Sequence, residues 1–303
     1  MMKFDLKTAA DCILLPKFAE IDEVYRQLDD QKEETCGLYG LSYLLRGMGW
    51  LKHGQHTIDE NYLAYLGRAN LSVDEYRRNE EINNLVKNGS LTVDEAEEKY
   101  GRIWYRYRLP FSEVDSELGT SAEGVKLACE TATEGQVIAV PVPSRRGATI
   151  FFDPFRFDRL LSSILKNASD WDAQVILNYR TDQLLDPNHS RYTLGNILAH
   201  SDDAAYFELD RWSVGHFVTM AGAIRFAPET YWIVIRDTYK NKGFKGYHLQ
   251  PVERLRQALV RDDGREGGVM IIVPRSRAAE VEESVRQIGL ELAVWDNGSP
   301  CRR

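Results

Sequence analysis

Short apolar runs of strand length recur through the second half of the chain, and they constrain the fold more than any other feature. The runs are GQVIAVPVP at 135–143, DAQVILNY at 172–179, HFVTMAGAIRF at 216–226 and TYWIVIR at 230–236. Runs of this length between turn residues are typical of buried strands. Only a short turn around Ala227 and Pro228 separates the last two runs, which predicts an antiparallel hairpin.

Helical patterns fill the front of the chain and the spaces between the strands. Apolar residues recur at helical spacing over 7–30 and 37–48, and again in FRFDRLLSSILKN at 155–167. The stretch from about 57 to 134 is polar, and its helix-like segments open with a Ser or Thr that could cap. We therefore predict an α+β fold, with a helical N-terminal part packed on a mostly antiparallel β-sheet. We predict one domain over 1–303 with a helical insertion at about 57–134.

Composition and charge exclude several classes of protein. The chain has 303 residues and is 43% apolar, which is enough to bury a large core. Its formal net charge of -8 offers no basic surface for a phosphate backbone, so we expect no nucleic-acid partner. No apolar run approaches the roughly 20 residues of a spanning helix, and the start lacks a secretion signal. We expect a cytoplasmic protein without membrane association.

The four cysteines, Cys12, Cys36, Cys129 and Cys301, are too scattered for a disulfide framework or a CxxC metal site. Cys12 and Cys129 lie in apolar helical patterns, which predicts core positions, whereas Cys301 lies in a polar tail and should be exposed. The acids of RDDGREGG do not have the spacing of a calcium loop. That motif predicts a tight turn between a helix and a strand. We expect neither a metal nor a cofactor.

Cys36 stands at the start of a predicted helix, within QKEETCGLYGL. A helix N-terminus favours a thiolate, because unpaired backbone N–H groups and the macrodipole point at it. Gly37 has no side chain, so a substrate carbonyl could approach the backbone there. A free cysteine is more often a small buried apolar residue. A catalytic interpretation therefore needs a histidine and an orienting group from elsewhere in the chain.

Among the six histidines, His216 is distinctive because it follows Gly215 at the start of an apolar strand. Asp237 ends the second strand of the predicted hairpin, and antiparallel pairing would bring it beside His216. A carboxylate there would hold one ring nitrogen and leave the other facing Cys36. The alternatives are a histidine satisfied at a strand end and an aspartate that caps the following turn. The three residues together favour a catalytic site.

With Gln31, these residues resemble the papain-like cysteine peptidase superfamily, and they are similar to the peptidases that process double-glycine leader peptides of bacteriocins. The resemblance implies a papain-like domain with Cys36 as the nucleophile and His216 as the general base and acid. It also implies that Asp237 orients the histidine. Gln31 would be an oxyanion donor beside the Cys36 N–H.

The chain as a whole resembles an uncharacterised bacterial family with a QK-acidic-E-x-CG start and GTSA, GHF, RDTY, GYHLQP and DGREGG motifs. The matching segments here are QKEETCG, GTSAEGVKLA, VGHFVTMAG, IRDTYKNKGFKGYHLQP and RDDGREGG. They span roughly residues 31 to 273. This second resemblance implies no activity.

We therefore predict a thiol hydrolase that cleaves an amide bond in a peptide through an acyl-cysteine intermediate. The alternatives are an acyltransferase with the same triad and a non-catalytic module that binds a peptide or a partner. The expected partner is a peptide or a small acyl substrate. Candidate substrate-binding residues are Gly37, Gly215, Trp212 as a cleft wall and His248 in the GFKGYHLQP loop. A core position for the tryptophan and a structural strand for the loop are the alternatives.

Overall fold

The computed structural model of the chain describes residues 11–227 and 230–301. Its helices are α1 (Phe18–Gln27), α2 (Cys36–Gly47), α3 (Glu60–Gly67), α4 (Val73–Lys87), α5 (Val93–Tyr100), α6 (Ala122–Ala132), α7 (Pro154–Trp171), α8 (Leu194–Ala199), α9 (Val252–Val260) and α10 (Arg275–Ile288). Its strands are β1 (Asp11–Leu14), β2 (Lys52–His53), β3 (His56–Thr57), β4 (Leu71–Ser72), β5 (Phe111–Ser112), β6 (Val137–Pro143), β7 (Arg145–Arg146), β8 (Thr149–Ile150), β9 (Gln174–Arg180), β10 (Gly215–Ala227), β11 (Thr230–Arg236), β12 (Tyr247–Pro251) and β13 (Gly268–Pro274).

A seven-stranded sheet in the order β12-β11-β10-β9-β13-β6 organises the molecule, and β1 pairs with β10 beside this path. Every pair of neighbouring strands in it is antiparallel. β9 pairs with the first half of β10, and β1 pairs with its second half. The long strand β10 is therefore central, and its first residues lie at one end of the sheet.

Both faces of the sheet are buried, because successive side chains of a strand point to opposite faces. On β13, Val269, Ile271 and Val273 join a core that includes side chains of α7, α9 and α10. Met270 and Ile272 join a second core with α1, α2, α3 and α6. The fold is therefore α+β, with helices on both sides of a sheet that is antiparallel throughout. The sequence predicted the helical front, but it did not predict that α7, α9 and α10 cover the other face.

The predicted hairpin is confirmed, since β10 and β11 pair in antiparallel register from Thr219 opposite Arg236. Pro228, at its predicted turn, lies outside the described residues. The predicted helix over 7–30 is wrong for part of its length, because Asp11–Leu14 forms β1. Residues 7–10 lie outside the described ranges. Cys12 is exposed on this short strand rather than in the core, since β1 adds to one side of β10 with most of its side chains in solvent.

The stretch predicted as an insertion contains α3 to α6. Side chains of α3 and α6 share the core of α2 and the sheet. By contrast, α4 and α5 enclose a small core of their own around Ile82, Ala96 and Trp104. The predicted caps are confirmed as capping boxes in which Ser72 and Thr92 each pair with the glutamate three residues on. The extent of the insertion stays a prediction.

After α10 the chain runs back across the start of α6 without regular secondary structure. Trp295 donates from Nε1 to Asn178 at 2.9 Å, and Asn297 donates from Nδ2 to the Thr120 carbonyl at 2.9 Å. Because of this packing Cys301 is half-buried, whereas the sequence predicted an exposed thiol; Cys129 is buried as predicted. No helix in the described ranges is both long and apolar enough to cross a membrane.

Candidate active site

Helix α2 begins at Cys36 and packs closely against β10 and α6. The contact is possible because Gly37 has no side chain: a Cβ atom there would lie 2.8 Å from Val125 Cγ2 and 3.1 Å from the Phe217 ring. This approach brings the first residue of α2 beside the first residues of β10. Close packing thus explains why a glycine occupies position 37. The predicted role of Gly37 in substrate binding stays a prediction.

The Cys36 sulfur lies against the backbone of β10. The Phe217 N–H donates to Sγ at 3.4 Å. Cys36 is half-buried rather than enclosed. Its sulfur can therefore be held by the protein and still meet a ligand.

His216 is the second residue of β10, and it is 2% exposed. Its Nε2 atom lies 3.1 Å from Asp237 Oδ1 and 3.2 Å from the Thr238 hydroxyl. The Cys36 side chain is a further partner of the ring. Burial alone lowers the pKa of His216, but the charge and hydrogen bond of Asp237, together with the Cys36 contact, raise that pKa to about 10. The imidazolium is therefore the favoured form at neutral pH.

Asp237 is the residue that follows β11, and its carboxylate has a partner on each oxygen. Oδ1 contacts His216 and also accepts from the Tyr239 N–H at 2.9 Å, while Oδ2 lies 3.4 Å from His248 Nε2. Burial alone raises the pKa of Asp237. The charge and hydrogen bond of His216 and the hydrogen bond of His248 hold it well below its usual range. Asp237 is therefore an anion that fixes the imidazole.

His248 lies on β12 and supports Asp237 from behind. Gln250 Nε2 lies 3.1 Å from His248 Nδ1, which leaves the Nε2 hydrogen for the aspartate. Its ring is buried and does not line the cleft beside Cys36. The position of His248 gives it an orienting role, and its predicted contact with substrate stays a prediction.

Gln31 lies beside Cys36, and residues just after Asp237 fix its amide. Its Oε1 atom accepts from the Thr238 hydroxyl, and its Nε2 atom donates to the Tyr239 hydroxyl at 3.2 Å. An amide nitrogen has two hydrogens, so one donor of Gln31 remains after this contact. A donor therefore lies in the cleft where the resemblance implies an oxyanion group.

Two aromatic rings enclose the imidazole. Tyr239 stacks on His216 with ring centroids 5.7 Å apart, and Trp212 meets it edge-on at 5.1 Å. Trp212 and Tyr239 also contact one another at 5.5 Å. These contacts exclude water from the ring and fix its orientation. They also place Trp212 at the cleft, where the sequence predicted a wall.

The site opens into a cleft of about 200 Å³. Gly215 lines it, and a Cβ atom there would lie 2.9 Å from Arg261 Nη1. Its predicted role in substrate binding stays a prediction. Sequence reasoning missed several lining residues. The missed polar residues are Glu34, Thr120, Tyr239, Arg265, Asn297 and Ser299. Two of these residues lie in motifs that the sequence analysis had singled out: Thr120 belongs to GTSA, and Arg265 belongs to RDDGREGG.

The arrangement defines a class: an α+β protein in which a cysteine at a helix start, a buried histidine and a buried aspartate meet at a cleft. Such a site can activate a thiol and move a proton. The chain belongs to the family of unknown function DUF6885, whose model matches residues 15–296. No curated protein sequence matches the chain. Among the described residues no group of three His, Cys, Asp or Glu side chains could hold a metal ion.

Proposed function

We propose that the protein is a papain-like thiol hydrolase that cleaves an amide bond in a peptide. The observation that carries the proposal is the position of His216. One ring nitrogen is fixed by Asp237, and the Cys36 sulfur lies in the same cleft, 3.4 Å from the backbone nitrogen of Phe217, the next residue after His216. An imidazole held in this way supplies both functions that thiol acyl transfer requires, a base for the thiol and an acid for the leaving amine.

The reaction begins with the Cys36 thiolate beside the His216 imidazolium. The sulfur attacks the substrate carbonyl carbon and forms a C–S bond, and the carbonyl π electrons move to oxygen. When the intermediate collapses, the C–N bond breaks and His216 gives its proton to the leaving amine. Water then attacks the thioester, with His216 as base, and releases the acid and the thiol. Asp237 holds the ring throughout.

Two donors can stabilise the oxyanion. The Cys36 N–H is at the first position of α2, where an amide has no partner within the helix. The remaining Nε2 hydrogen of Gln31 is the second, since the Tyr239 hydroxyl uses only one. Donors that are already fixed before the reaction stabilise developing charge at low reorganisation cost. Cys36 and Gln31 would thus act together on the carbonyl oxygen.

The proposal is tested by incubating the protein with a mixed peptide library and identifying new termini by mass spectrometry. We expect new termini with the unmodified chain and none with Cys36→Ala, because the nucleophile is lost. Cys12→Ala is the matched control, since this thiol is exposed on β1, outside the cleft. Cleavage that survives Cys36→Ala would contradict the proposal.

A second arm of the experiment separates hydrolysis from acyl transfer. Hydroxylamine is added with the peptides, and an acyl-enzyme open to other amines would give hydroxamates in place of acids. An excess of hydroxamate over acid would favour the acyltransferase alternative with the same triad. If neither product forms and Cys36 resists alkylation, the binding-module alternative replaces the proposed function.

A further inference from the structure

The RDDGREGG segment joins α9 to β13 as the sequence predicted, but it also sends one side chain into the cleft. That side chain is Arg265, which lies in the same cleft as Cys36 and His216. A tight turn alone would not need an arginine directed at the site. The contacts of this segment show which of its charges are already neutralised.

The acidic residues around Arg265 are engaged with other groups. Asp262 pairs with Arg180 at 3.2 Å, and Asp263 pairs with Arg261 at 2.6 Å. Glu266 accepts from the backbone N–H groups of Gly147 and Asp296, both at 3.0 Å. No carboxylate within the described ranges forms an ion pair with Arg265. Its guanidinium is therefore a half-buried cation without an ion-pair partner among the residues that the structure describes.

The C-terminal segment packs against the Arg265 guanidinium. Gly298 lies so close that a Cβ atom there would be 2.8 Å from Arg265 Nε and 3.0 Å from Cζ. Ser299, the next residue, also lines the cleft and donates to the Leu118 carbonyl at 2.5 Å. The arginine is thus packed against an ordered backbone rather than extended into solvent. Fixing the side chain beforehand reduces the entropy cost of binding an anion.

Among the described residues, the cleft holds one further charged side chain outside the proposed triad, that of Glu34. It lies against Gly119, where a Cβ atom would be 3.0 Å from Glu34 Oε2. No ion pair joins Glu34 to Arg265 in the part of the chain that the structure describes. A carboxylate that enters the cleft therefore meets attraction at Arg265 and repulsion at Glu34. This difference favours one position for the anion.

We propose that Arg265 binds a carboxylate of the substrate close to the scissile bond. The proposal rests on the proposed function and names its substrate class: peptides whose reacting amide is near a C-terminal carboxylate or an acidic side chain. A guanidinium binds a carboxylate with two parallel hydrogen bonds, which gives orientation as well as affinity. The cleft of about 200 Å³ is smaller than the usual pockets of roughly 300–1,000 Å³, which suits a short group beside the carbonyl.

The test measures alkylation of Cys36 by mass spectrometry with a matched series of small reagents. Iodoacetyl-glycine has a terminal carboxylate, and iodoacetyl-aspartic acid α-amide has a side-chain carboxylate. Iodoacetyl-glycinamide is the neutral reference, and each rate is divided by the rate of this reference on the same variant. We expect at least one carboxylated reagent to react about ten-fold faster than the neutral one. The faster reagent identifies the source of the carboxylate.

Arg265→Gln should reduce this ratio to about one, and Arg265→Lys should retain part of it because the charge remains. Arg277→Gln, on the surface of α10, is the matched control and should keep the full ratio. A ratio near one in the unmodified protein, or a ratio that Arg265→Gln leaves unchanged, would overturn the proposal. The measurement does not require peptide cleavage, so an Arg265-dependent ratio without cleavage would contradict only the proposed function.

Discussion

The Nε2 atom of His216 lies 3.1 Å from Oδ1 of Asp237, although the two residues are 21 positions apart in sequence. The relationship follows from the hairpin. Thr219 pairs with Arg236, so His216 lies beyond the end of β11, and Asp237 is the next residue after that strand. The Asp237 N–H donates to the Gly246 carbonyl at 2.7 Å, which holds the backbone of Asp237 as it leaves the sheet.

The same pair makes stability depend on pH. The pKa of His216 is raised from 6.5 to about 10, so its contribution is complete below pH 6.5 and is lost as pH rises toward 10. Because one pKa unit corresponds to about 1.4 kcal/mol, we expect the free energy of unfolding to fall by about 5 kcal/mol over this window. In Asp237→Asn the charge that raises the pKa is absent, and this part of the fall should disappear. Urea unfolding at pH 6 and pH 9.5 measures the free energy of unfolding of the unmodified protein and of Asp237→Asn.

The matched control for this prediction is Asp172→Asn, whose half-exposed carboxylate pairs with Lys17. It should keep the pH dependence of the unmodified chain, because exposed pairs contribute little. An Asp237→Asn variant with the same fall between pH 6 and pH 9.5 would contradict the coupling of Asp237 to His216.

The close packing of α2 on β10 predicts that Gly37→Ala is destabilising. The new Cβ atom would lie 2.8 Å from Val125 Cγ2 and 3.0 Å from Thr120 Cγ2, so neighbouring groups must shift. Overpacking of this kind costs about 1–3 kcal/mol. Gly195→Ala is the control: it lies in α8 with nothing within 4 Å of the new atom, and should be neutral or slightly stabilising. Thermal or urea unfolding measures the stability of the Gly37→Ala and Gly195→Ala variants. Equal stabilities of the two variants would contradict the close packing of α2 on β10.

Glu34 gives the cleft a second pH dependence. Burial, followed by the charges of Glu75 and Glu33, raises the pKa of Glu34 to about 7. As pH falls from 8 to 6 this carboxyl becomes neutral and repels an incoming carboxylate less. We expect the ratio of carboxylated to neutral reagent on Cys36 to rise about three-fold over this range. The ratio cancels any titration of the thiol itself.

In Glu34→Gln the ratio of the alkylation rates of the carboxylated and neutral reagents should be high at both pH 8 and pH 6 and nearly constant between them. Glu283→Gln, with an exposed carboxyl on α10, should behave as the unmodified chain. A flat ratio in the unmodified protein, or a slope that persists in Glu34→Gln, would show that another group controls entry of the anion.

The position of Asp237 beside His216 could be predicted from the sequence, because a hairpin brings the two residues together. A hairpin fixes His216 and Asp237 relative to each other, and the start of an apolar helix marks Cys36. The contribution of Thr238 and Tyr239 was visible only in the RDTY motif, whose last two residues contact the imidazole and Gln31. The residue type alone did not indicate those contacts.

The rest of the cleft could not be predicted, because its residues come together through packing between distant segments. Arg265 lies in the cleft with the C-terminal segment packed against it, and Ser299 lies there because that segment returns across α6. Cys12 shows a different limit. A short apolar run fits either a helix or a strand, and pairing with β10 decides between them.

The most direct test of the central claim is the rate at which iodoacetamide alkylates each cysteine at pH 7, read separately by mass spectrometry. We expect Cys36 to react at least about ten-fold faster than the half-buried Cys301, because the Cys36 sulfur lies beside His216 and the Phe217 N–H, whereas burial raises the pKa of the Cys301 thiol. In His216→Ala the rate of Cys36 should fall to that of Cys301. If Cys36 is protected, or if its alkylation rate is the same with and without His216, Cys36 is not an activated thiol and the central claim is wrong.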